Sequence, residues 1–148
     1  MRKSMVRIFI PLLSLMLLFS CDEIPEPEDD FMYGGDFSIL KKMEDEGGVY
    51  KIDGVEKDAL EIFSDNGYNY GRVRIFHTPN MVGPVCNSLD YTIALSKKIK
   101  AAGMKLLLDF HYSDTWADPG HQIKPAAWEG LTFEVLSDSV YQYSKNVI

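Results

Sequence analysis

A near-continuous apolar run of strand length, KLLLDF at residues 105–110, most narrows what this chain can become. A strand with one wet face alternates in polarity. A run like this one belongs to a parallel sheet covered on both faces. Residues 70–76, YGRVRIF, alternate and predict a second strand. Residues 31–37, FMYGGDF, predict a short first one that ends near Asp36. Between these runs the period changes. In residues 56–66, Ala59, Leu60, Ile62 and Phe63 fall on one helical face, and Gly67 stops the helix. In residues 88–102, Leu89, Ile93, Leu95 and Ile99 form a stripe that Gly103 caps, and residues 132–148 predict a third helix. Residues 38–54 read as a polar connection. Residues 78–87, with two prolines and a glycine, and residues 111–130 read as loops.

Strand then helix, three times over, predicts parallel βαβ units and an α/β fold. Two architectures fit. One is a small doubly wound domain. The other is a (β/α)8 TIM barrel, of which this chain covers roughly the first three βα units, since a whole barrel needs about 250 residues. The third predicted helix meets the end of the sequence with no stop signal. That favours a truncated barrel.

The globular pattern occupies residues 31–148. Residues 1–20 have a basic start (Arg2, Lys3, Arg7) and an apolar run at 8–19 that is short for a bilayer span. This is the plan of a secretory signal peptide. Leu18-Phe19-Ser20-Cys21 resembles a bacterial lipobox, which implies that Cys21 becomes the lipidated N-terminus. The plainer alternative is an ordinary cleaved signal followed by a chance cysteine. Cys86 is the other cysteine, so lipidation of Cys21 leaves no intramolecular disulfide. Cys86 itself reads as a small, semi-buried loop thiol. Residues 21–30 follow as an acidic, proline-rich tether that cannot bury apolar surface. The acidic run resembles the surface-export signal of Bacteroidetes-type lipoproteins, and a plain spacer is the competing reading. The expectation is an exported cell-envelope lipoprotein, at the outer membrane and surface-exposed if the acidic run is an address. Its membrane contact is the lipid anchor alone.

The first twenty residues hold three of the fifteen basic residues and none of the 22 acidic ones, so their removal takes the formal charge from −7 to −10. Binding to a phosphate backbone needs the opposite balance, which argues against nucleic acid as a partner.

Polar chemistry gathers at the C-terminal ends of the predicted strands. Asp36 ends the first. Arg72, Arg74 and His77 lie on or just past the second. Asp109, His111 and Asp114 end the third, within DFHYSDTWADPGHQ. In a parallel barrel these ends share one face, where active sites are built. Each residue also has a plainer role. Asp109 and His111 can satisfy each other. Arg72 and Arg74 flank Val73 and so share a face, and if that face is interior at least one needs a carboxylate. Trp116 either caps the core or offers a platform on which a sugar ring stacks. Trp128 reads as core. Asp109, His111, Asp114, Asp118 and His121 also offer oxygen and nitrogen ligands, but no HExxH or paired-cysteine spacing accompanies them, and no metal site is assigned.

The run GMKLLLDFHYSDTWADPGHQIKPAAW resembles the signature of glycoside hydrolase family 53, the arabinogalactan endo-β-1,4-galactanases. YGGDFS is similar to that family's opening Gly-x-Asp-x-Ser. Glu44-Asp45-Glu46-Gly47 followed by Tyr50 is similar to its Glu-x-x-Gly…Tyr. DALEIFSDNGYNYGRVRIF resembles its first helix and second strand. The resemblance covers residues 33–128 and implies a (β/α)8 barrel that hydrolyses β-1,4-linked galactan or arabinogalactan with retention. Two glutamates, an acid/base and a nucleophile about 5 to 5.5 Å apart, carry such a reaction. In the family they follow the fourth and seventh strands, which places both beyond Ile148. The resemblance further implies that Arg74 holds the nucleophile ionised. It implies that Asp36, Asp109, His111 and Asp114 support or line the sugar cleft and that Trp116 stacks on sugar. No cofactor is implied, and a structural calcium belongs, if anywhere, to the rest of the barrel. Phe76 departs from the family's tryptophan, and residues 77–79 and 80–87 depart from its usual loop. The alternative function is a sugar-binding surface lipoprotein without catalytic carboxylates, and a third is a metal-dependent hydrolase.

Overall fold

Three parallel strands form the frame from which the polar residues project. The computed structural model describes residues 31–148, so the expectations for the signal peptide, Cys21 and the tether lie outside the described residues. The elements run β1 (Gly34–Asp36), α1 (Leu40–Asp45), β2 (Lys51–Ile52), β3 (Val55–Glu56), α2 (Ala59–Asp65), β4 (Tyr70–Ile75), α3 (Leu89–Ala101), β5 (Lys105–Phe110), a 3₁₀ turn (Ala126–Trp128) and α4 (Phe133–Val147). The sheet order is β1-β4-β5, parallel throughout.

The predicted βαβ order holds, with one addition. The polar connection at 38–54 contains α1 and the first half of a small hairpin. Helix α1 buries Leu40 and carries i,i+4 pairs between Lys41 and Asp45 and between Lys42 and Glu46. The β2–β3 hairpin turns through Asp53 and Gly54, both at positive φ, the conformation that an Asp-Gly turn favours. Neither piece is long enough to show a period. Helix α2 begins with its apolar stripe at Ala59, later than the predicted segment 56–66, because Asp58 caps it, accepting from the amides of Leu60 and Glu61. Ser88 caps α3 in the same way through Tyr91 N–H, and Thr132 caps α4 through Val135 N–H.

Strand β4 divides its side chains cleanly. Gly71, Val73 and Ile75 are buried on the side away from the arginines. Val73 joins Leu95 and Ile99 of α3 in one core with Phe37, Leu40, Leu60 and Met104. Gly71 has no room for a side chain, since a Cβ there would lie 2.9 Å from Ile99 Cγ2. Cys86 is fully buried in this core rather than semi-buried, and Trp128 is buried as expected.

The expectation that both faces of β5 are covered fails among the described residues. Leu107, the register partner of Arg72, is 43% exposed. Strand β5 has a described neighbour on one side only, so its apolar pattern refers to packing that these residues do not supply. Helix α4 buries no residue fully. It attaches through Tyr143, whose hydroxyl donates to the Phe76 carbonyl at 3.1 Å and whose ring meets those of His77 and Trp128, and through Ser144, whose Oγ lies 2.9 Å from the Tyr112 hydroxyl. No described helix is long and apolar enough to cross a membrane.

Candidate active site

The register of the sheet aligns the charged residues. Asp36 sits opposite Arg72, and Arg74 opposite Asp109, so strand ends from β1, β4 and β5 present them to one side. Arg72 is the bridge. One guanidinium nitrogen bonds Asp36 Oδ2 and another bonds Asp109 Oδ2. A cation between two carboxylates offsets the repulsion that the acids would otherwise feel.

Asp36 is anchored from below. Its Oδ1 accepts from both the amide and the hydroxyl of Ser38. Ser38 Oγ in turn accepts Arg74 N–H at 3.0 Å, and the Ser38 carbonyl accepts from Asn87 Nδ2 at 2.8 Å. Burial opposes ionisation of Asp36. The Ser38 hydrogens, then Arg74 and Arg72, outweigh it and hold the carboxyl below its ordinary range.

Arg74 differs from Arg72. It is buried, its Nε has no hydrogen-bond partner, and its nearest carboxylate oxygen, Asp36 Oδ1, is 4.0 Å from Nη2. Its guanidinium lies 4.6 Å from the ring centre of Trp116. Trp116 is 44% exposed, so the indole both covers Arg74 and keeps solvent-facing surface. Trp116 thus covers a buried cation rather than the hydrophobic core.

Asp109 and His111 do satisfy each other, Oδ2 to Nε2 at 3.2 Å. His111 packs its ring against Phe76 and Trp116, so the Phe76 departure from the family pattern falls inside the site. Asp114 lies apart. Its two oxygens accept from the amides of Thr78 and Ala126, each at 2.9 Å, and Oδ1 also lies 3.6 Å from His77 Nδ1. Both of its oxygens are engaged by loop groups, which makes it a staple between the loops after β4 and β5. Asp118 and His121 pair with each other on an exposed turn. Among the described residues, no group of three or more His, Cys, Asp or Glu side chains is placed to hold a metal ion.

An open groove of roughly 480 Å³ runs beside the cluster, lined by Asp109, His111, Tyr112, Asp118, Ile123 and Lys124. Sequence reasoning placed Arg72 at this strand end without naming its bridging role, and it missed Ser38 and Asn87. Ser38 had a signal, as the last residue of the Gly-x-Asp-x-Ser run. Asn87 had none, because its partner is a carbonyl 49 positions away.

Charged residues gathered at the C-terminal ends of successive parallel strands match the place where a (β/α)8 barrel builds its active site. The model of the family described as "Glycosyl hydrolase family 53" matches residues 32–148. A probable arabinogalactan endo-β-1,4-galactanase A of Aspergillus terreus is 45% identical over 115 residues, covering 77% of this chain and 32% of the relative. An endo-β-1,4-galactanase of Bacillus subtilis is 39% identical over 122 residues, covering 78% and 28%. The GH53 catalytic domain of Ignisphaera aggregans superposes with a TM-score of 0.75 at 37% identity, over 84% of this chain and 36% of that one. The chain belongs to glycosyl hydrolase family 53. It spans about a third of the length of the curated relatives it matches. Its three parallel strands are part of a (β/α)8 barrel, and the doubly wound alternative is set aside.

Proposed function

We propose that these residues form part of a retaining endo-β-1,4-galactanase that cleaves galactan or arabinogalactan. In this reading the acid/base and nucleophile glutamates are supplied by barrel strands outside these 148 residues. Asp36, Arg74, Asp109, His111 and Trp116 build the floor and wall of the sugar cleft, with Arg72 holding the two aspartates. Asp114 supports the site by stapling its loops. The observation that carries the reading is Arg74, which is buried, has an unmet Nε and lies 4.0 Å from the nearest described carboxylate oxygen. Such a cation is suited to keep one further carboxylate ionised. Trp116 beside it provides an apolar face of the kind on which a sugar ring stacks.

The test is incubation of the full-length protein with β-1,4-galactan while the anomeric proton signals are followed by NMR. Release of galacto-oligosaccharides whose new reducing ends are first β supports the reading. Binding of galactan without cleavage would support the alternative, a sugar-binding lipoprotein. Activity that disappears with a strong chelator and returns with a divalent cation would instead favour metal-dependent hydrolysis.

The anchor at Cys21 is part of the same proposal, and the lipobox-like sequence supports it. Lipidation at the envelope would hold the enzyme where polymer is met outside the cell. Labelled palmitate should enter the wild-type protein and be absent from Cys21→Ser. Equal labelling of both would remove the anchor.

A further inference from the structure

The platform residue Trp116 sits on a long loop, and one side chain of the rigid sheet end reaches its backbone. His111 Nδ1 accepts from Ala117 N–H at 3.4 Å, immediately after the tryptophan. The other ring nitrogen, Nε2, faces Asp109 Oδ2 at 3.2 Å. The same Asp109 oxygen accepts from Arg72, so Nε2 faces an acceptor atom. An acceptor facing Nε2 requires a hydrogen there, and a backbone donor facing Nδ1 requires a lone pair there. Both partners therefore demand the same neutral tautomer. A second proton at Nδ1 would set one N–H against another.

The ring has little freedom to do anything else. Its side chain is 10% exposed, with Phe76 at 5.1 Å and Trp116 at 5.7 Å between ring centres. Other bonds of the loop act elsewhere. Asp114 fixes the chain before the tryptophan, and the Asp118–His121 bridge is internal to the turn after it.

We propose that His111 is a positioning residue, and that the lone pair on its Nδ1 holds the backbone at Ala117 and so sets the Trp116 indole over Arg74. The strand end thereby fixes a loop-borne sugar platform through Arg72, Asp109 and His111 in series. The inference rests on the galactanase reading only in its kinetic test.

Two substitutions separate the two ring nitrogens. An asparagine oxygen can occupy the place of Nδ1, and a glutamine amide can reach the place of Nε2. In the full-length enzyme, loss of one neutral hydrogen bond in His111→Gln should raise KM for galactan about fivefold with kcat nearly unchanged. His111→Asn should recover more than half of that rise. Equal KM effects in both variants, or a fall in kcat with KM unchanged, overturns the proposal. A second measurement needs only folded protein. In ¹⁵N-histidine-labelled wild type at neutral pH, the His111 ring should show an unprotonated Nδ1 and a protonated Nε2. The opposite tautomer, or a doubly protonated ring, overturns the proposal whether or not galactan is the substrate. If the wild type cleaves no galactan, the galactanase reading fails and the nitrogen shifts still decide the role of His111.

Discussion

The guanidinium carbon of Arg74 lies over the Trp116 ring, 4.6 Å from its centre, and this contact joins the buried charge of the site to its exposed edge. The tryptophan shields one face of a cation whose Nε has no other partner. Removing either residue should therefore have different consequences. In the full-length enzyme, Arg74→Ala should lower kcat by about a hundredfold or more, as expected for loss of a fixed charge beside the reacting groups. Its thermal midpoint should move much less. Unchanged turnover in steady-state assays would sink the role given to Arg74. Trp116→Ala should act mainly on KM, and Trp116→Phe should keep most of the platform.

Asp36 gives a prediction in pH. Its folded carboxyl titrates below the ordinary value of 3.8, held there by Ser38 and the two arginines against the effect of burial. The fold thus favours the ionised form. That stabilisation is complete above the unfolded value and is lost as pH falls through the folded one. Asp36→Asn should lower the urea midpoint at neutral pH. The gap between variant and wild type should narrow as pH falls below about 4. A gap that stays constant down to pH 2 would contradict this account.

Asp114 stitches two loops with two charge-assisted bonds, to Thr78 N–H and Ala126 N–H. Asp114→Ala should cost about 3 kcal/mol by chemical denaturation, and Asp114→Asn about half as much because one acceptor survives. Both variants should change KM less than Trp116→Ala does. The reverse ordering would return Asp114 to the sugar cleft.

Gly71 marks where sheet and helix approach most closely. A methyl group there meets Ile99 Cγ2 at 2.9 Å and Phe37 Cδ2 at 3.1 Å. Gly71→Ala should destabilise by about 1 to 3 kcal/mol through overpacking, with KM unaffected. A neutral or stabilising result would mean that α3 can shift outward freely.

Much of this arrangement is legible in the sequence, and its gaps have physical causes. The positions of α3 and β5 are readable, but their burial only in part. Of the α3 stripe, Leu95 and Ile99 are buried while Leu89 and Ile93 are exposed, because Tyr91 and Thr92 turn inward instead, and no residue of β5 is fully buried among the described residues. Helix α1 and the β2–β3 hairpin are not readable as periods, since six and two residues complete too few cycles. Their signals were chemical instead, i,i+4 charge pairs and an Asp-Gly turn. The site shows the same split. Asp36, Arg74 and Asp109 could be placed on one face from strand alternation and parallel order alone. That Arg72 bridges two acids, or that Asn87 supports Ser38, depends on partners 36 to 49 positions apart, and distance in sequence hides them.

Strand β4 has a consequence for how the protein can change over generations. Its even-numbered arginines face the site, while Gly71 and Val73 seat the strand against α3 and Ile75 is buried on the same side. Adjacent positions therefore answer to different selective pressures. A substitution in one set changes the charge cluster, and a substitution in the other changes the packing against the helix. The same six residues thus carry two separate sets of constraints, one from the charged face and one from the packed face.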